Sequence, residues 1–306
     1  MAPLLAAVIP LLWWQQGPAT ADSLKQAGVR NVCIAPEAAP AWSGVAGAPP
    51  VCTVEPRTKL PVPRIDRKVA VASPTTSPWI VSNGWRFLRF PGGRFVCETP
   101  AGSAVLAMAE AFAYRADVAV KIAEGDLKAA GSFQQFLGSL PGAETKPVTD
   151  VAFVDDGSAL AGEALNMMVR RNLLVWVARG TEPAASGLRV KIGDSGFPQH
   201  LASDPNEFAM TVRRKLTDAN RTLRIYGSEM VLARLESGGG RTRLHLMNYN
   251  RQPMEGLRVR IRGEYATITL SCFGITQTAP ADVSADGGFT ELSIPEFKEY
   301  ALVELR

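Results

Sequence analysis

The stretch TDVAFVDDGSALAGEALNMMVRRNLLVWVARG, residues 149–180, decides the fold, because it holds a complete strand–helix–strand pattern. Residues 151–154 (VAFV) are an apolar run short enough for a buried strand. Asp155-Asp156-Gly157-Ser158 is a turn that ends in a good helix N-cap. Leu160, Ala164, Leu165, Met168 and Val169 then recur at helical spacing, with Glu163, Arg170 and Arg171 on the opposite side. Residues 173–177 are a second apolar run, closed by Gly180. Parallel strands joined by a helix are covered on both sheet faces, so each run is apolar throughout. A Rossmann-like βαβ domain is therefore expected over residues 148–222. It would be completed by a weaker strand at 188–192 and a helix with Asp204 at its N-cap, Pro205 at N1 and Glu207 at N3.

Toward the C-terminus the period changes from helical to two. Residues 223–226, 230–235, 242–249, 257–262, 266–273, 290–294 and 300–305 read as short strands separated by glycine-rich turns. That spacing predicts an antiparallel β-sandwich over residues 223–306. Alternation places His245 on an exposed face of its strand, and Arg258, Arg260 and Arg262 on the wet face of theirs.

Toward the N-terminus, strand-like and helix-like pieces alternate through residues 1–140. Strands are expected at 29–35, 94–97 and 117–122, a buried helix over 100–114 and an amphipathic helix through 127–140. Residues 78–90 carry Asn83-Gly84 between two apolar runs, a hairpin or a strand entering a loop. Residues 141–147 read as a linker. A full (β/α)₈ barrel needs about 250 residues, so this region can hold only a partial barrel-like sheet. The fold class is thus α/β followed by all-β. The apolar run at 4–14 and Ala19-Thr20-Ala21 fit a secretory signal segment over 1–21, while the same residues also read as the first strand of the α/β region.

Bulk properties exclude little. A net charge of +4 is too mild to imply a nucleic-acid partner, and no other run is long enough to span a bilayer. None of the four cysteines, Cys33, Cys52, Cys97 and Cys272, sits at metal-ligand spacing, so no metal is expected. The first three lie in apolar runs as buried thiols would, and in an exported protein Cys33 and Cys52 are the pair to test for a disulfide. No glycine-rich nucleotide motif and no G-x-S-x-G elbow is present, so neither a nucleotide cofactor nor a serine triad is indicated.

The candidate site residues are those at strand ends, where α/β folds place their chemistry. Glu37 and Glu98 each follow an apolar strand and could serve as a carboxylate pair, although surface glutamates at loop starts would look the same. Lys121 ends its strand in the same way. Trp13, Trp14, Trp42 and Trp85 are candidate sugar-stacking platforms or ordinary core residues. Asp155 and Asp156 form a candidate ligand turn, although a helix-capping turn explains them better without any ligand.

The order of these pieces, together with the LHLMNYN run at 244–250, resembles the multidomain architecture of glycoside hydrolases of the β-galactosidase type. In that family an accessory middle domain is amidotransferase-like without its chemistry, and here no cysteine occurs between Cys97 and Cys272 to supply a thiol. The resemblance implies carbohydrate as the partner, bound or hydrolysed, with no cofactor, in an extracytoplasmic setting. A non-catalytic carbohydrate-binding or scaffold protein, one that homo-oligomerises through its sandwich, and a cytoplasmic α/β protein are the alternatives. The barrel-like region is about half the usual length, and no Asn-Glu acid/base motif can be placed on it.

Overall fold

The computed structural model describes residues 9–52, 57–69, 76–178, 187–276 and 278–306. Two compact units emerge, Met1–Arg64 with Pro91–Gly142, and Ile65–Phe90 with Ala143–Arg306. The second unit thus takes in residues 65–90, a grouping that a linear reading of the chain does not anticipate.

The first unit is built on a five-stranded parallel sheet. Its spatial order is Val32–Ile34, Leu11–Trp14, Asp117–Lys121, Arg94–Glu98, Thr58–Leu60. Read from the last of these, neighbours follow chain order cyclically, as a βα barrel opened between its second and third strands would. The two edge strands do not pair with each other, so no closed barrel forms among the described residues. Leu11–Trp14 has a ladder partner on each side. Cleavage after Ala21 would therefore remove an interior strand; the apolar residues before position 9 lie outside the described residues.

One face of this sheet is largely apolar, with Leu12, Val120, Cys97 and Leu60 each at most 3% exposed. The Ala104–Ala113 helix is buried on every side, as its alanine-rich sequence requires. Its first free N–H groups are satisfied by Asp126, whose carboxylate accepts from Gly102 N at 2.7 Å and Ala104 N at 3.3 Å. Gln134, on the Leu127–Ser139 helix, is fully buried. It accepts from Arg30 N and Asn31 N and donates to the carbonyls of Pro10 and Asn31. Cys33 and Cys52 form a disulfide, and Cys97 and Cys272 are buried thiols.

In the second unit the βαβ pattern is realised. Val151–Val154 lies between Val175–Ala178 and Leu188–Lys191 in a three-stranded parallel sheet. Ser158 caps the Ala159–Arg170 helix by accepting from Ala161 N, and Asp204 caps Pro205–Leu216 by accepting from Asn206 N and Glu207 N. Gly180 lies outside the described residues. The Asn83-Gly84 turn makes no hairpin. It starts the Gly84–Arg89 helix after the Thr76–Val81 strand, because the following residues, WRFLR, lie on a helical period.

The remaining residues form two antiparallel sheets. One contains Leu223–Tyr226, Met254–Arg262, Phe289–Phe297 and Ala281–Asp286. The other contains Ile268–Cys272, Tyr300–Leu305, Arg241–Asn248, Val231–Gly238 and Lys146–Pro147. A single apolar cluster draws residues from both, among them Leu244, Leu246, Val303, Val259, Ile261 and Ile294. The expected linker at 141–147 instead ends in a short strand paired with Glu236 and Ser237. His245 is 3% exposed rather than on a wet face. Its sheet is largely buried, and several of its polar residues pair across strands. His245 Nδ1 lies 2.8 Å from Tyr300 Oη, and Arg243 donates from Nε and Nη2 to Glu304 at 2.9 and 2.8 Å. The Arg258–Arg262 alternation does hold, with Leu257, Val259 and Ile261 buried between the arginines.

Candidate functional site

The strand ends of the parallel sheet bring three of the candidate residues into one row. Trp13 is directly opposite Lys121, and Lys121 is directly opposite Glu98. Residues in lateral register in a parallel sheet project from the same face, so the indole, the ammonium and the carboxylate line up along the C-terminal edge. Lys121 Nζ stands 4.6 Å from the centre of the Trp13 ring, a cation–π arrangement that fixes both side chains. Glu98 is exposed, and Lys121 and Trp13 are half-buried. Trp13 Nε1 is buried and has no hydrogen-bond partner among the described residues.

Cys33 continues the row on the other side of Trp13, and its disulfide to Cys52 pins that end of the sheet. The chemistry on offer is a flat apolar surface beside a cation and an anion. An indole face suits the apolar face of a pyranose, and the charged groups suit its hydroxyls.

The other candidates lie elsewhere. Trp14 points to the opposite sheet face, is 1% exposed and donates from Nε1 to Thr20 Oγ1. Trp42 is 2% exposed and donates to the carbonyl of Gln16. Both are core residues with their polar atoms spent, so neither offers a ring face to a ligand. Trp85 belongs to the second unit, where the Arg86 guanidinium sits 4.2 Å from its ring.

Glu37 is exposed within the 3₁₀ segment Pro36–Trp42, beyond the Val32–Ile34 strand. That strand is three ladder steps from the one carrying Glu98, about 14 Å at the usual strand spacing.

Asp155 and Asp156 hold the turn that leads into the Ser158 cap. Arg89 donates from Nε and Nη2 to the two oxygens of Asp155 at 2.7 and 2.9 Å, and Asp155 also accepts from Gly157 N. Hydrogen bonds from Ser158 hold Asp156 below the usual carboxylate range. No group of three or more potential metal-ligating side chains occurs among the described residues.

What sequence reasoning missed is the register. Each strand end was legible singly, but that Trp13, Lys121 and Glu98 are neighbours depends on the last strand of this unit inserting beside the first. Arg89 as the partner of Asp155, 66 residues away, carried no sequence signal.

No protein-family model matches the chain, and no curated protein matches it. Among solved structures it is similar to alpha-L-fucosidase isoenzyme 2 from Paenibacillus thiaminolyticus. The TM-score is 0.55 at 10% identity, over 72% of this chain and 62% of that one. It is more distantly similar to a beta-galactosidase from Rahnella sp. R3, with a TM-score of 0.45 at 12% identity over 73% of this chain and 56% of that one. A rhamnosidase from Novosphingobium sp. PP1Y gives a TM-score of 0.45 at 10% identity, over 69% of this chain and 31% of that one. The chain thus spans less than two thirds of the length of each of these enzymes. It has a glycoside hydrolase-like fold, mixed α/β with one five-stranded parallel sheet and several antiparallel ones.

Proposed function

We propose that the protein binds carbohydrate along the Trp13–Lys121–Glu98 row without hydrolysing it. The observation that carries this reading is the row itself, an indole face flanked by a cation and a carboxylate at the C-terminal edge of a parallel sheet. The fold similarity supports sugar as the ligand class. Paired-carboxylate hydrolysis uses two carboxyl groups about 5–10 Å apart, whereas the strands that precede Glu37 and carry Glu98 are three ladder steps apart. A glycan array, followed by calorimetry on the best ligand, tests the proposal. Trp13→Ala should weaken binding about tenfold, the equivalent of one lost aromatic contact of about 1.4 kcal/mol. No glycan bound by the wild type, or binding indifferent to Trp13→Ala, would overturn it.

A glycosidase acting through Glu37 and Glu98 is the second reading, favoured by both residues following C-terminal strand ends. It requires turnover of some glycoside, lost in Glu98→Gln. The two antiparallel sheets fit a β-sandwich, supported by the apolar cluster they share. The three-stranded parallel sheet with its helices fits an amidotransferase-like domain without the thiol. A location outside the cytoplasm is supported by the Cys33–Cys52 disulfide, since such bonds persist in oxidising compartments.

A further inference from the structure

The second unit contains a cavity of about 520 Å³ into which three arginines converge, Arg170 and Arg171 from the end of one helix and Arg213 from another. Asn206, Tyr226 and Glu229 share its wall. Glu229 is its one lining carboxylate among the described residues, and it makes no ion pair with any of the three arginines. Arg170 is fixed by stacking on the Trp79 ring at 3.9 Å, and its side chain donates to the thioether of Met167. Arg171 donates to the side-chain oxygen of Asn206. The Nε atoms of Arg170 and Arg171 are buried and lack hydrogen-bond partners among the described residues.

Such an arrangement is costly as it stands. Burial, then the neighbouring Arg171 charge, bring Arg170 down to about 10, and burial followed by Arg213 lowers Arg171. A helix C-terminus favours a nearby cation, which explains one solvated charge per helix. It does not explain three arginines lining one cavity with no ion pair to its one lining carboxylate. Guanidinium groups recognise oxyanions through paired N–H donors.

We propose that this cavity binds a small organic oxyanion, a phosphate, sulfate or carboxylate group carried on a body of about monosaccharide size. The volume falls within the range of about 300–1,000 Å³ common for small-molecule sites, far more than a bare ion fills. The half-exposed ring of Tyr226 supplies an apolar face for that body. The proposal is independent of the carbohydrate row, which lies in the other unit and uses none of these residues.

Thermal unfolding of the full chain at matched ionic strength provides the test, with inorganic phosphate, sulfate, glucuronate, glucose 6-phosphate, glucose and chloride as probes. Glucose 6-phosphate or glucuronate should raise the melting temperature more than inorganic phosphate, sulfate or glucose does, an excess over glucose that Trp13→Ala leaves intact, and chloride should not raise it. Whichever organic anion acts identifies a tetrahedral or a planar head group.

Arg213→Gln should melt at or above the wild-type temperature without ligand, since a repulsion has been removed, and should bind the anion at least tenfold more weakly. Glu229→Gln should bind it several-fold more tightly. A wild-type protein that responds to every anion as it does to chloride would overturn the proposal, as would an Arg213→Gln protein that responds to them as fully as the wild type.

Discussion

Cys97 and Cys272 show what burial does to a single side chain. Each thiol is pushed up to about 12, chiefly by loss of solvent, with Glu110 adding to the effect at Cys97 and Glu296 at Cys272. A thiol held this high is the inert kind, since only the thiolate attacks. Iodoacetamide at pH 8 should leave the native protein unlabelled, modify two cysteines after denaturation alone, and modify four after denaturation with reduction. Mass spectrometry counts them, and labelling of the native protein would contradict the burial.

The pH dependence has a definite sign. A group whose native pKa is raised holds its proton more tightly when folded, so its contribution is intact below about 9 and is lost as pH climbs toward about 12. The stability advantage of wild type over Cys97→Ala should therefore shrink by about 2 kcal/mol between about pH 8.5 and about pH 10.5, as urea unfolding would measure. The sequence announced the buried thiol of Cys97 through its apolar neighbours. It hid His245 and the Arg243–Glu304 pair, because polar residues on alternate strand positions look wet until the cross-strand partners that satisfy them are known.

Elements were legible where a period was. The Ala159–Arg170 and Pro205–Leu216 helices carry both an apolar stripe and a side-chain cap, and they begin where those signals place them. The Ala281–Asp286 strand has no such signal, since nearly all of its residues are exposed and its pairing with Phe289–Phe297 alone creates it.

Helix contacts add a constraint invisible to periodicity. A Cβ on Gly131 would lie 2.1 Å from the Ala27 carbonyl oxygen, so the Leu127–Ser139 helix passes this close only because position 131 has no side chain. Gly131→Ala would gain helix propensity, about 1 kcal/mol, in an isolated peptide. In the protein, displacement of backbone should outweigh that gain, for a net loss of about 1–2 kcal/mol. Equal or higher stability of the variant in chemical unfolding would show that the two segments can part without penalty.

At the scale of the whole molecule, long-range ties hold the chain together within each unit. In the second unit Asn172, which follows the Ala159–Arg170 helix, accepts from Ala233 N and donates to the carbonyl of Val231, while Asp150 accepts from Thr222 N and Oγ1. The α/β and strand-rich parts are thus fastened to each other by buried polar bonds. In the first unit the Cys33–Cys52 bridge closes a loop of 19 residues, which should contribute about 3 kcal/mol by restricting the unfolded chain. Reduction should accelerate amide exchange in residues 9–52 and leave the strands between 231 and 305 unchanged; uniform exchange before and after reduction would refute the assignment.

By itself the sequence determined the local grammar of this protein: the βαβ unit at its centre, the capped helices, and the change to strand periodicity after residue 223. These follow from side-chain spacing, which each segment carries within itself. Only the tertiary structure decided that Trp13, Lys121 and Glu98 stand in one row, that Trp14 and Trp42 are core, and that three arginines from two helices share a cavity. The reason is that strand order and helix packing are set by contacts between distant segments. A sequence without aligned relatives states what each residue is made of, and the fold alone states which residues it meets.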